Sequence, residues 1–92
     1  MKEEAFYKKL KQSLDETTQF PGEYPFKFIV PATGGGEKII EDSFDGTGAV
    51  ITTRKSKKGN YIAISIIVIM PDSQSVIDKY KELSVIEGII PL

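Results

Sequence analysis

The chain contains no cysteine, no histidine and no tryptophan. Without cysteine there are no disulfides, no thiolate metal sites and no thiol nucleophile. Without histidine, Ser-His-Asp chemistry and most zinc sites are excluded. Catalysis would fall to carboxylates, Lys, Arg, Tyr or Ser/Thr alone, so an enzyme is not expected, and neither is a cofactor or a metal. Long hydrophobic runs are also missing. The longest, Tyr61 to Met70, is interrupted by Ser65 and is far too short to span a bilayer as a helix. The N-terminus, MKEEAFYKKLKQ, is charged and lacks the apolar stretch of a secretory signal. A cytoplasmic location is the default expectation, with no membrane partner.

What is present is the balance of a soluble globular protein. Of 92 residues, 40% are hydrophobic and 27% charged, with a formal net charge of -1. That length predicts one domain over 1–92, with a helix in 1–18 and the core in 24–92.

Phe6, Leu10 and Leu14 recur at helical spacing, which predicts a helix over roughly Lys2 to Glu16 with a narrow apolar stripe. Thr17, Thr18 and Phe20-Pro21-Gly22 end it. YPFKFIVP (Tyr24–Pro31) reads as a strand, with Phe26, Phe28 and Val30 on one side and Lys27 and Ile29 on the other. EKIIEDSF (Glu37–Phe44) predicts a short helix with Ile39, Ile40 and Phe44 inward. AVITTR (Ala49–Arg54) and NYIAISIIVIM (Asn60–Met70) are β-branched strands, and the glycine-containing Lys55–Gly59 link makes them a hairpin. Pro71 stops the second. Asp72 is placed to cap a helix from Ser73 to about Ser84, with Val76, Ile77, Tyr80 and Leu83 inward. GIIPL (Gly88–Leu92) is a short terminal strand, confined to a sheet edge because Pro91 has no N–H.

After the first helix, this order is the split βαβ arrangement. Right-handed crossovers then give an α+β, ferredoxin-like βαββαβ sandwich, with a four-stranded antiparallel sheet in spatial order 4-1-3-2 and two helices on one face. The other face should be polar. It is not. If Ile62, Ile64, Ile66, Val68 and Met70 face the helices, then Tyr61, Ala63, Ser65, Ile67 and Ile69 face outward, joined by Ile29. Leaving the three isoleucines in water forfeits roughly 1.5–3 kcal/mol each relative to full burial. The expected cover is the N-terminal helix over part of the face, with weak homodimerisation through the sheet face or edge for the rest.

Three stretches, TTQFPGEYPFKFIVP (Thr17–Pro31), RKSKKGNYIAISIIV (Arg54–Val68) and YKELSVIEGIIPL (Tyr80–Leu92), together resemble the YbeD-like family of small uncharacterised bacterial proteins. The markers are Phe20-Pro21, Phe26-Lys27, and Ser56, Lys58, Gly59 and Tyr61 before the long strand. The resemblance implies a fold similar to ACT domains, regulatory modules that bind amino acids at subunit interfaces, and it implies no established activity. ACT domains place ligands near the junction of the first core strand and helix. Here that junction, PATGGG (Pro31–Gly36), departs from the family pattern. The triple glycine either opens a pocket or makes the loop mobile.

Two segments are candidate sites. Thr33, Gly34, Gly35 and Gly36 open a helix, and exposed N–H groups there suit a small anion or an amino-acid carboxylate. The spacing is neither a Walker A loop nor GxGxxG. Arg54, Lys55, Lys57 and Lys58, with Tyr61 as a stacking ring, suit an acidic partner or phosphates. The sheet lacks the paired aromatics of RNA-recognition modules, and a sequence pI of about 5.4 is far from that of a basic nucleic-acid binder. A nucleic-acid partner is therefore disfavoured, and a solvated hairpin tip is the simpler reading. Glu37, Glu41, Asp42 and Asp45 read as a solvated helix face. The expected function is a non-enzymatic, ACT-like regulatory or interaction module that binds a small molecule or a partner protein. The alternative is a nucleic-acid-binding accessory protein using residues 54–61.

Overall fold

The structure is a computed structural model that describes residues 2–92. Its elements run α1 (Lys2–Thr17), β1 (Gly22–Pro31), α2 (Gly36–Ser43), β2 (Val50–Lys55), β3 (Tyr61–Met70), α3 (Ser73–Leu83) and β4 (Ile90–Pro91). The strands form one antiparallel sheet in the order β2-β3-β1-β4, the spatial arrangement read from the sequence. β4 lies at the edge, and its Pro91 sits opposite Phe28.

Alternation along β3 decides the layers. Ile62, Ile64, Ile66, Val68 and Met70 are buried, and Phe26, Phe28 and Val30 of β1 lie beside them. Ile40 and Phe44 cover this face from the α2 side, and Val76, Ile77 and Leu83 cover it from α3. Phe26 is the aromatic centre, its ring within 6.0 Å of those of Tyr24, Phe28, Phe44 and Tyr80. Asp72 caps α3, its carboxylate accepting from the Ser75 N–H at 2.8 Å. On α3, Lys79 Nζ donates to the Ser43 carbonyl at 2.9 Å and ties α3 to the end of α2.

Two expectations are corrected. First, α1 does not fold across the open sheet face. It lies beside α3 and widens the helical layer. Leu14 enters the core, Tyr7 and Leu10 pack against it, Lys81 sits 5.2 Å from the Tyr7 ring centroid, and the Ser73 hydroxyl donates to Asp15. The seam beside α3 offers both hydrocarbon and a buried hydroxyl needing an acceptor, and the sheet face offers only the former. The open face therefore stays open. Second, Ile39 points outward and is exposed, because adjacent residues of a helix stand about 100° apart and α2 turns Ile40 to the sheet. Only Ile40 is buried. Among the described residues no helix is long and apolar enough to cross a membrane.

Candidate functional site

The β1–α2 junction is built by glycines, each with a separate geometric reason. Gly34 and Gly35 have φ of +98° and +76°, a region that side-chain-bearing residues rarely adopt. Gly35 is the N-cap of α2 and supplies no side-chain acceptor. The Ile39 N–H bonds the Gly35 carbonyl at 3.2 Å, so the N–H groups of Gly36, Glu37 and Lys38 precede the first helical hydrogen bond. Gly36 is buried for a different reason. A Cβ there would lie 3.0 Å from Ile86 Cγ2 and 3.4 Å from Val30 Cβ. The missing side chain lets the segment after α3 close over the junction. Gly88 does the same from the other side, since a Cβ there would meet Pro31 Cγ at 2.8 Å.

The result is a crevice of about 510 Å³, lined by Thr33, Gly34 and Gly36 on one side and Val85, Glu87 and Gly88 on the other, with Ile39 at its rim. Three of the four glycine-turn candidates meet here, and Gly35 stands just behind as the helix cap. Sequence reading missed Glu87, Val85 and the outward Ile39. The one mark in the 85–88 segment is Gly88, read from the sequence only as the start of the terminal strand, and its partner Pro31 lies 57 positions earlier in the chain. The crevice carries both signs of charge, the partial positive charge of the α2 N-terminus and the Glu87 carboxylate.

The basic cluster lies elsewhere. β2 and β3 are joined by a tight turn, with the Ser56 N–H bonding the Tyr61 carbonyl at 2.8 Å and the Tyr61 N–H bonding Ser56 Oγ at 3.1 Å. Arg54 pairs with Ala63 and so projects onto the open face. Arg54, Lys55, Lys57 and Tyr61 line one hollow of about 430 Å³ together with Ile29 and Ala63, and Lys58 is exposed outside it. The acidic residues of α2 do not converge. Lys38 and Asp42 form an exposed pair at 3.6 Å, and among the described residues no three His, Cys, Asp or Glu side chains gather as a metal site.

Four antiparallel strands in this order, with helices on one face and a glycine turn feeding the first core helix, define an ACT-like, ferredoxin-like module. The ACT domain from the GTP pyrophosphokinase of Chlorobium tepidum superposes with a TM-score of 0.58 over 76% of this chain and 96% of that one, at 11% identity, a likeness of fold alone. The chain belongs to the protein family of unknown function DUF493, whose profile matches residues 15–91. A UPF0250 protein of Shewanella putrefaciens is 32% identical over 84 residues, covering 87% of this chain and 94% of that protein.

Proposed function

We propose that this protein is a non-enzymatic regulatory module that binds a small zwitterion of the amino-acid type in the crevice between the β1–α2 turn and residues 85–88. The observation carrying this reading is the meeting of Thr33, Gly34 and Gly36 with Glu87 around one crevice. A carboxylate suits the unpaired N–H groups at the start of α2. An ammonium suits Glu87. Ile39 and Val85, both exposed, offer hydrocarbon to a side chain. No general acid, base or nucleophile is needed for such a role, which matches a chain without Cys or His.

A thermal-shift screen against the amino acids tests it. A ligand present at about ten times its Kd stabilises the native state by about 1.4 kcal/mol. For a domain of this size that raises Tm by roughly 5–10 °C. Glu87→Gln is expected to remove most of the shift. No rise with any amino acid at millimolar concentration ends the reading.

A nucleic-acid role for Arg54 to Tyr61 draws support from the shared hollow of Arg54, Lys55, Lys57 and Tyr61. It requires salt-sensitive binding weakened by Lys57→Glu and Lys58→Glu. One aromatic on the open face and a pI of about 5.4 weigh against it.

A further inference from the structure

The strand register places Val50, Tyr61, Ile67, Ile69 and Ile90 on the open face of the sheet, together with Pro25 and Ile29. Ile69 is 69% exposed and Val50 62%. Elsewhere among the described residues the large exposed hydrophobics, apart from the terminal Leu92, are Phe6, Ile39 and Val85, each on a different element or loop. The apolar exposure is thus concentrated on one face.

The charge is concentrated there as well. Lys27 and Arg54 lie on this face, and Lys55, Lys57 and Lys58 form the adjoining hairpin tip, against the single acid Glu23. These five of the chain's 12 Lys and Arg, with one of its 13 Asp and Glu, give the sheet side a net charge of +4 and leave -5 for the rest. The ion pairs among the described residues are Lys11–Asp15, Lys38–Asp42 and Lys79–Glu82, and none involves the five. A solvated tip would explain Lys57 and Lys58. It does not explain Lys27 and Arg54 set among exposed isoleucines.

We infer that this face docks an acidic amphipathic helix of another protein, laid across the sheet as a missing third layer. The helix would put its apolar stripe on Ile67, Ile69 and Tyr61 and its carboxylates on Lys27, Arg54 and Lys57. Size agrees. Four strands of up to ten residues cover at most about 600 Å², less than the roughly 800 Å² per partner of a standard protein–protein interface and suited to a helix of about four turns. A second copy fits poorly through the same face, because a two-fold stacking sets one basic face against the other. Single-stranded nucleic acid fits poorly too, since Tyr61 is the one aromatic there to stack a base. The inference does not depend on the amino-acid crevice, none of whose lining residues is among the proposed helix contacts.

The test is a titration of the whole isotope-labelled chain, followed by NMR, with a synthetic amphipathic helical peptide of about four turns. One version carries glutamates flanking a leucine stripe, and the control carries lysines at the same positions. The glutamate peptide is expected to shift Val50, Tyr61, Ile67 and Ile69. Its binding should weaken about ten-fold between roughly 0.03 and 0.3 M salt, and by a further factor of about ten in the doubly reversed variant R54E/K57E. Ile69→Asp should abolish it. Because Ile69 and Arg54 are exposed, these variants should keep the fold, and unchanged spectra away from the face check that. Any one of these outcomes overturns the inference: no shifts at millimolar peptide, equal binding of the lysine control, shifts confined to the helical layer, or an apparent mass that doubles through this face without peptide. Stronger binding of a single-stranded oligouridine than of the glutamate peptide would overturn it as well.

Discussion

Gly88 has a φ of +77°, and a Cβ there would lie 2.8 Å from Pro31 Cγ. Alanine at this position meets two separate penalties, a disfavoured backbone and a steric clash. Gly88→Ala is expected to lower stability by about 2–3 kcal/mol, read as a lower denaturation midpoint at unchanged slope. Adding Pro31→Ala removes the clashing ring atoms and should recover part of the loss. The residual loss is that of the backbone alone. The triple glycine was visible as a special turn, but its parts were not separable. Gly34 and Gly35 supply positive φ, and Gly36 supplies room for Ile86, a residue 50 positions away. Local sequence shows that a glycine stands there, and only the tertiary neighbour shows why. Asp15 is a second case. The Ser73 hydroxyl, and then Lys11, hold its carboxyl below the ordinary value of 3.8. Its contribution is therefore complete above that value and is lost as pH falls through the lower, folded one. The amides of α1 are expected to lose exchange protection below about pH 4, before those of β3. Ser73→Ala should lower that protection already at neutral pH and flatten its acid dependence, because without the donor the carboxyl returns toward its ordinary value.

At the scale of elements, α1 shows a stripe whose periodicity was legible and whose destination was not. Leu14 is 7% exposed and Phe6 60%, so the helix is anchored at its C-terminal end and stands away at its start. Leu14→Ala should cost about 2–4 kcal/mol, and Phe6→Ala close to nothing. Removing residues 1–16 should uncover the seam along α3 and destabilise the domain, and the open sheet face should keep its shape and exposure. Periodicity alone could not choose between the two surfaces, because either could receive the same apolar stripe. The choice was made by the Asp15–Ser73 hydrogen bond and by Lys81 over Tyr7, contacts across 58 and 74 positions of chain. β3 was the opposite case. Its strict two-residue alternation assigned every side chain to the correct face, since a strand has only two faces to choose between.

The molecule as a whole is a charge couple, with a basic sheet side of +4 and a remainder of -5 in a chain of net charge -1. This bears on the weak self-association expected for an uncovered apolar sheet. Two sheets stacked on a two-fold axis would share their apolar residues but would bring the basic set of one copy, Lys27 and Arg54, against that of the other. Only a head-to-tail contact, sheet side on acidic helical side, is electrostatically favourable. Such a contact is heterologous and does not close on itself. Contacts of this kind are screened beyond roughly 8 Å at physiological ionic strength. Small-angle scattering should therefore show a monomer at micromolar protein in about 0.15 M salt. In about 0.01 M salt the apparent mass should climb with protein concentration without stopping at two copies. R54E/K57E should suppress that climb. A discrete dimer that persists in about 0.5 M salt would instead mean that hydrocarbon outweighs charge at this face, and that Lys27 and Arg54 can turn aside as two sheets meet.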